Sequence, residues 1–175
     1  FMRSAFVLLF SCLFMTSFAQ SAPVEINVIY GEDGRHEVYE SKDPRIAAIA
    51  DSTAAMFDLD ALKEDSQGRY EYDKTSVGQS YSLCPGEPYR NQPAAALCSG
   101  FLVGEDLLAT AGHCVPTFKN CEKHAWVFGY RMKNASDIPE NFDGENVYRC
   151  KELIKSAQTG RQDFALIRLD RARPL

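Results

Sequence analysis

Residues Leu107 to Pro116 read LLATAGHCVP. An apolar run gives way to small residues and stops on a histidine followed at once by a cysteine. Fold and chemistry both depend on what His113 needs from those neighbours.

An isolated histidine is most often a surface or satisfied core residue. A second reading is metal, because His113, Cys114, Cys121 and His124 offer N and S donors of the kind that zinc takes. If Ala109 to Cys114 is extended, however, His113 and Cys114 point to opposite faces and share one ion only where the chain bends sharply. The same opposed directions weigh against Cys114 as a nucleophile activated by His113. A fourth reading makes His113 a general base, which requires a carboxylate on Nδ1 and a hydroxyl nucleophile on the Nε2 side. Asp163, alone at the edge of the apolar stretch RQDFALIRL, is the candidate acceptor, since a carboxylate there is costly unless paired. The plain alternative for Asp163 is a strand-entry turn.

Outward from this stretch, short apolar runs alternate with turns: CSGFLV from Cys98, LLATA, HAWVFGY, VYRCKELI and DFALIRL. That spacing predicts an all-β sandwich or barrel. Upstream, VEINVIY (Val24 to Tyr30) reads as a strand, and RIAAIADSTAAMFDL (Arg45 to Leu59) fits either a helix or a loop leading to a short strand. The following KEDSQGRYEYDK is polar and expected to be exposed. RMKNASDIPENFDGEN is a loop by its Pro139, Gly144 and asparagines, and its Asn134-Ala135-Ser136 sequon is too common a pattern to carry a role. No repeat, heptad, Walker loop or dinucleotide fingerprint is present in the sequence.

Of the 175 residues, 45 % are hydrophobic and 25 % charged, an ordinary globular composition. Met2 and Arg3 precede an apolar run, Ala5 to Phe18, that is short for a bilayer span of about 20 residues. With Ser17-Phe18-Ala19 as a cleavage pattern, residues 1–19 read as a secretory signal, and no membrane anchor remains after its removal. The net charge of −5, one unit more negative without Arg3, argues against nucleic acid as a partner. Discarding Cys12 leaves Cys84, Cys98, Cys114, Cys121 and Cys150, and export makes disulfides the expected state for most of them. Cys121 with Cys150 is one pairing that a hairpin of HAWVFGY and VYRCKELI would allow, with Cys84 an alternative partner for either. Phe1 ahead of Met2 and an end at Arg173-Pro174-Leu175 suggest a piece of a longer protein.

Cys98-Ser99-Gly100, then Thr110-Ala111-Gly112-His113-Cys114, then Asp163-Phe164-Ala165-Leu166-Ile167 resemble, in order and spacing, the first half of a chymotrypsin-fold (trypsin-like) serine protease. The resemblance implies a chymotrypsin-like double β-barrel of which this chain covers the N-terminal barrel. It implies His113 as general base, Asp163 as the carboxylate that orients it, and a Cys98–Cys114 bridge. It also suggests that Ala111 and Gly112 are small to leave room for the Asp163 carboxylate, which would accept N–H bonds from the backbone near His113. Val28 to His36 (VIYGEDGRH) is similar to the mature N-terminal segment of bacterial V8-like, glutamyl endopeptidase-type members. The expected organisation is a signal over 1–19, a candidate propeptide and N-terminal segment over 20–79 with a mature start near Val28, and the first barrel over 80–175. The family's glycine-flanked nucleophilic serine is missing, since no Gly-x-Ser-Gly occurs in the sequence. The expected function is that of a secreted serine endopeptidase acting on proteins or peptides without metal or organic cofactor, its serine lying beyond Leu175. A non-catalytic homologue that binds without cutting is the alternative.

Overall fold

A computed structural model describes residues 33–174. The signal, the strand expected over Val24 to Tyr30 and most of the V8-like segment lie outside the described residues. Asp33 and Arg35 pair with each other in a unit that ends at Arg35, and a second unit starts at His36.

The ambiguous stretch Arg45 to Leu59 holds both a helix and a strand. Helix α1 (Pro44–Asp51) starts where Asp43 accepts the backbone N–H of Arg45 and Pro44 occupies the first turn. It ends as Ser52 and Thr53 turn their hydroxyls back onto the carbonyls of Ala48 and Ile49. Strand β1 (Thr53–Asp58) follows at once. The polar stretch after it forms a small hairpin of β2 (Lys63–Glu64) and β3 (Arg69–Glu71), and a capping box at Ser76 and Gln79 opens the single turn α2 (Val77–Ser80). Then come β4 (Cys98–Leu102), β5 (Leu107–Thr110), the short helix α3 (Phe118–Glu122), β6 (His124–Phe128), β7 (Phe142–Asp143), β8 (Val147–Thr159) and β9 (Gln162–Leu169).

Six strands close into an antiparallel barrel in the order β1-β4-β5-β9-β8-β6, as expected for one barrel of the chymotrypsin-like fold. The expected boundary at residue 80 falls too late, because β1 lies before it and pairs with both β4 and β6. Without β1 both neighbours would present open edges. Side chains that alternate inward fill the barrel: Met56, Leu108, Trp126, Phe128, Ile167 and Leu169 are all buried. Gly100 is small for a packing reason, since a Cβ there would stand 2.8 Å from Cζ3 of Trp126.

A second core lies on the outer face of β1 and β6. The polar insertion covers that face, and β3 pairs with β7 to make a separate three-stranded sheet over it. Phe57, Tyr72, Tyr130 and Phe142 meet mostly edge to face, with ring centroids 5.1 Å apart for Phe57 and Tyr130. The two tyrosine hydroxyls donate to carbonyls of Pro139 (2.5 Å) and Pro93 (2.6 Å), which satisfies them inside the cluster. Burial pushes both phenols above their ordinary range.

Disulfides join Cys98 to Cys114 and Cys121 to Cys150, and Cys84 is free and exposed. The first bridge closes a separation of 16 residues, a loop whose cross-linking is worth about 3 kcal/mol in the chain-entropy account. Cys121 sits in α3 rather than on a strand, so the second bridge pins that helix to β8.

Phe57 is wholly buried in the second core, whereas Phe101 on the neighbouring β4 is 55 % exposed. Phe57→Ala should therefore cost about 3–5 kcal/mol in urea unfolding, while Phe101→Ala should stay within about 0.5 kcal/mol of the parent. Equal losses at the two positions would show that the second core is not part of the cooperative fold.

Candidate active site

Strand β5 stops at Thr110, whose hydroxyl donates to the Ser99 carbonyl of β4 at 2.7 Å. The chain then turns: Cys114 N–H reaches the Ala111 carbonyl and Val115 N–H the Gly112 carbonyl, both at 3.2 Å. The extended geometry expected for Ala109 to Cys114 therefore ends at Thr110. Donor atoms of Cys98, His113 and Cys114 come within 4.8 Å of one another. Both sulfurs of that group are consumed in the Cys98–Cys114 bridge, and Cys121 is bonded to Cys150, so none of these sulfurs is a free thiolate for zinc or for attack. His124 stands apart, its Nδ1 on the Asn120 carbonyl at 2.5 Å.

Asp163 enters from the start of β9, two residues after the Gly160-Arg161 turn that joins it to β8. Its Oδ1 accepts the backbone N–H of His113 at 2.8 Å, and its Oδ2 lies 2.7 Å from His113 Nδ1. The backbone N–H of Gly112 is a further donor to the same carboxylate. These donors, the His113 side chain first, hold Asp163 below the usual aspartate range despite its partial desolvation. An ionised carboxylate only accepts, so Nδ1 carries a proton, and in the neutral ring Nε2 is the nitrogen with the lone pair. The arrangement can therefore take a proton at Nε2 while Asp163 steadies the resulting charge.

The pair is not buried. His113 and Asp163 side chains are 56 % and 48 % exposed, because nothing among the described residues covers that edge of the barrel. Gly112 owes its size to neighbours besides the carboxylate. A Cβ on it would run into the carbonyl of Ala157 on β8 and stand 3.0 Å from that of Phe164 on β9, so the hairpin backbone, as well as the carboxylate, needs the space.

Two outcomes follow. Gly112→Ala forces one of two backbone carbonyls to move and should destabilise the chain by about 1–3 kcal/mol, as overpacking does, and should lengthen the His113–Asp163 contact; an unchanged melting curve and an unchanged Asp163 shift would contradict the close approach. Because the folded value of Asp163 is depressed, its contribution to stability is complete above the ordinary aspartate range and is lost as pH falls through the lower folded value. Carboxyl-carbon NMR should find a midpoint below that of a free aspartate, moving upward in His113→Ala; an ordinary midpoint in the parent chain would remove the clamp.

The family model described as Trypsin matches residues 83–174, which includes every residue of the site. It leaves out β1, which the barrel nonetheless uses. No curated protein matches the sequence. With more than half of its length under that match, and with a closed six-stranded barrel beneath it, the chain belongs to the trypsin family of chymotrypsin-fold serine proteases.

Proposed function

We propose that the natural protein is a secreted serine endopeptidase in which His113 is the general base and Asp163 the carboxylate that orients it. The observation that carries this reading is the double clamp of Asp163 on the backbone N–H and Nδ1 of His113, which leaves Nε2 with a lone pair facing away from the carboxylate. A serine encoded after Leu175 attacks the peptide carbonyl while Nε2 takes its proton. The imidazolium then returns that proton to the leaving amine, and Asp163 stays ionised throughout. The same downstream sequence would supply the second barrel, the oxyanion donors and the pocket that selects the residue before the cut.

Secretion is supported by the signal pattern over 1–19 and by the two disulfides. Among the described residues no helix is long and apolar enough to cross a membrane. In this proposal residues 20–79 carry a propeptide and the N-terminal segment, with β1 already part of the peptidase barrel. The segment Val28 to His36 supports placement in the V8-like branch, where cutting after acidic residues would be the analogy to test.

In the full-length protein, His113→Ala should lower kcat on peptide substrates by several orders of magnitude, about 10⁴-fold or more, with the melting temperature little changed. A serine-reactive phosphonate should label one serine downstream of Leu175 and none in the 175 residues. Peptide binding with no turnover in the parent protein would favour the non-catalytic homologue.

A further inference from the structure

A cavity of about 610 Å³ lies between α1, β1, the start of β4 and the residues that follow β6. That volume is in the range of small-molecule sites. Ala50 of α1, Ala55 of β1 and Ala96 ahead of β4 are too small to fill it, and Val38, Leu97 and Tyr130 stand around it. Leu97 is 59 % exposed, an apolar surface that an occupant would take out of water.

Most hydroxyls of the lining are spent within the fold. Thr53 donates to the Ile49 carbonyl at 3.0 Å, and Tyr130 to the Pro93 carbonyl at 2.6 Å. Among the described residues the charged side chain of the lining is Arg131. Its Nη2 donates to Asp51 Oδ1 at 2.8 Å, whereas its Nη1 is buried with no hydrogen-bond partner among the described residues. A buried N–H without an acceptor carries an uncompensated desolvation cost, which a carboxylate oxygen offsets better than a neutral one. The guanidinium is a fork of five donors, so it can keep Asp51 on one nitrogen and take a second carboxylate on the other. Both members of the existing pair are partly in solvent, and such a pair holds the side chain only weakly against turning toward an occupant.

The chemistry of the occupant follows from this lining. A wholly apolar molecule would leave Nη1 without a partner, and a cation would face Arg131. A phosphate ester or a sugar would set many polar atoms against alkyl walls. We propose that the cavity binds an aliphatic monocarboxylate of fatty-acid type, its alkyl chain against the alanines and Leu97 and its carboxylate on Arg131. This binding uses none of the chemistry at His113.

The test is isothermal titration calorimetry on the full-length protein with butanoate, hexanoate and octanoate, and with 1-octanol as the uncharged match. One octanoate should bind per chain, with affinity rising roughly two- to fourfold for each methylene added. Octanol should bind about tenfold more weakly than octanoate, the size of a lost hydrogen bond to a charged group. Arg131→Gln should bring octanoate down to the level of octanol and leave octanol unchanged. Ala50→Leu, which fills the cavity from a half-buried position on α1, should weaken both ligands while the melting temperature stays close to the parent's. No saturable octanoate binding, equal affinity for octanoate and octanol in the parent, or unchanged octanoate binding in either variant would overturn the proposal. Should Arg131→Gln fail to fold, the octanol comparison and Ala50→Leu decide by themselves.

Discussion

The carboxylate of Asp163 is the point on which the rest of the structure depends. It ties the turn after β5 to the start of β9 through two backbone N–H groups and one imidazole nitrogen. Each donor favours the ionised form, and together they outweigh the partial desolvation that acts the other way. The more than half exposed imidazole is consequently aimed by a carboxylate that main-chain N–H groups hold in place.

That clamp requires accurate register in the barrel. β5 pairs with β9 from Leu107 against Arg168 to Thr110 against Ala165, and β8 pairs with β9 up to Thr159 against Gln162, with irregularities between Cys150 and Glu152 and between Leu153 and Lys155. A slip of one residue would send Asp163 to the opposite face and expose Ala165 and Ile167 at the same time. The penalty for misplacing the carboxylate is therefore the loss of buried apolar contacts around Trp126 and Leu108. Packing in the core and placement at the rim are one constraint.

The barrel strands from Cys98 onward were legible in the sequence because each is a short apolar run between turns, and the His113 and Asp163 motifs sit at their ends. β1 was not legible as a barrel strand. Its alanines, Ala54 and Ala55, read equally well as helix, and its nearest partner, Cys98 opposite Met56, lies far downstream across a polar insertion. The second core was hidden for the same reason: Phe57, Tyr72, Tyr130 and Phe142 are scattered through polar stretches with no shared period. At the site, the direction of Cys114 relative to His113 depended on a bend after Thr110 that alternation could not indicate. Gly112 was assigned to the carboxylate, and only the folded hairpin places the Ala157 and Phe164 carbonyls against it.

The redox state of two sulfurs decides which chemistry this cluster can perform. The same three residues, Cys98, His113 and Cys114, lie close enough for their donor atoms to meet at one ion. Reduced, two thiolates beside an imidazole would compete for a soft divalent metal and would hold the ring by coordination instead of by Asp163. Oxidised, the sulfurs bond to each other, staple β4 to the turn that carries His113, and leave the ring to the carboxylate. Oxidation thus removes two competing thiolate donors from beside the imidazole.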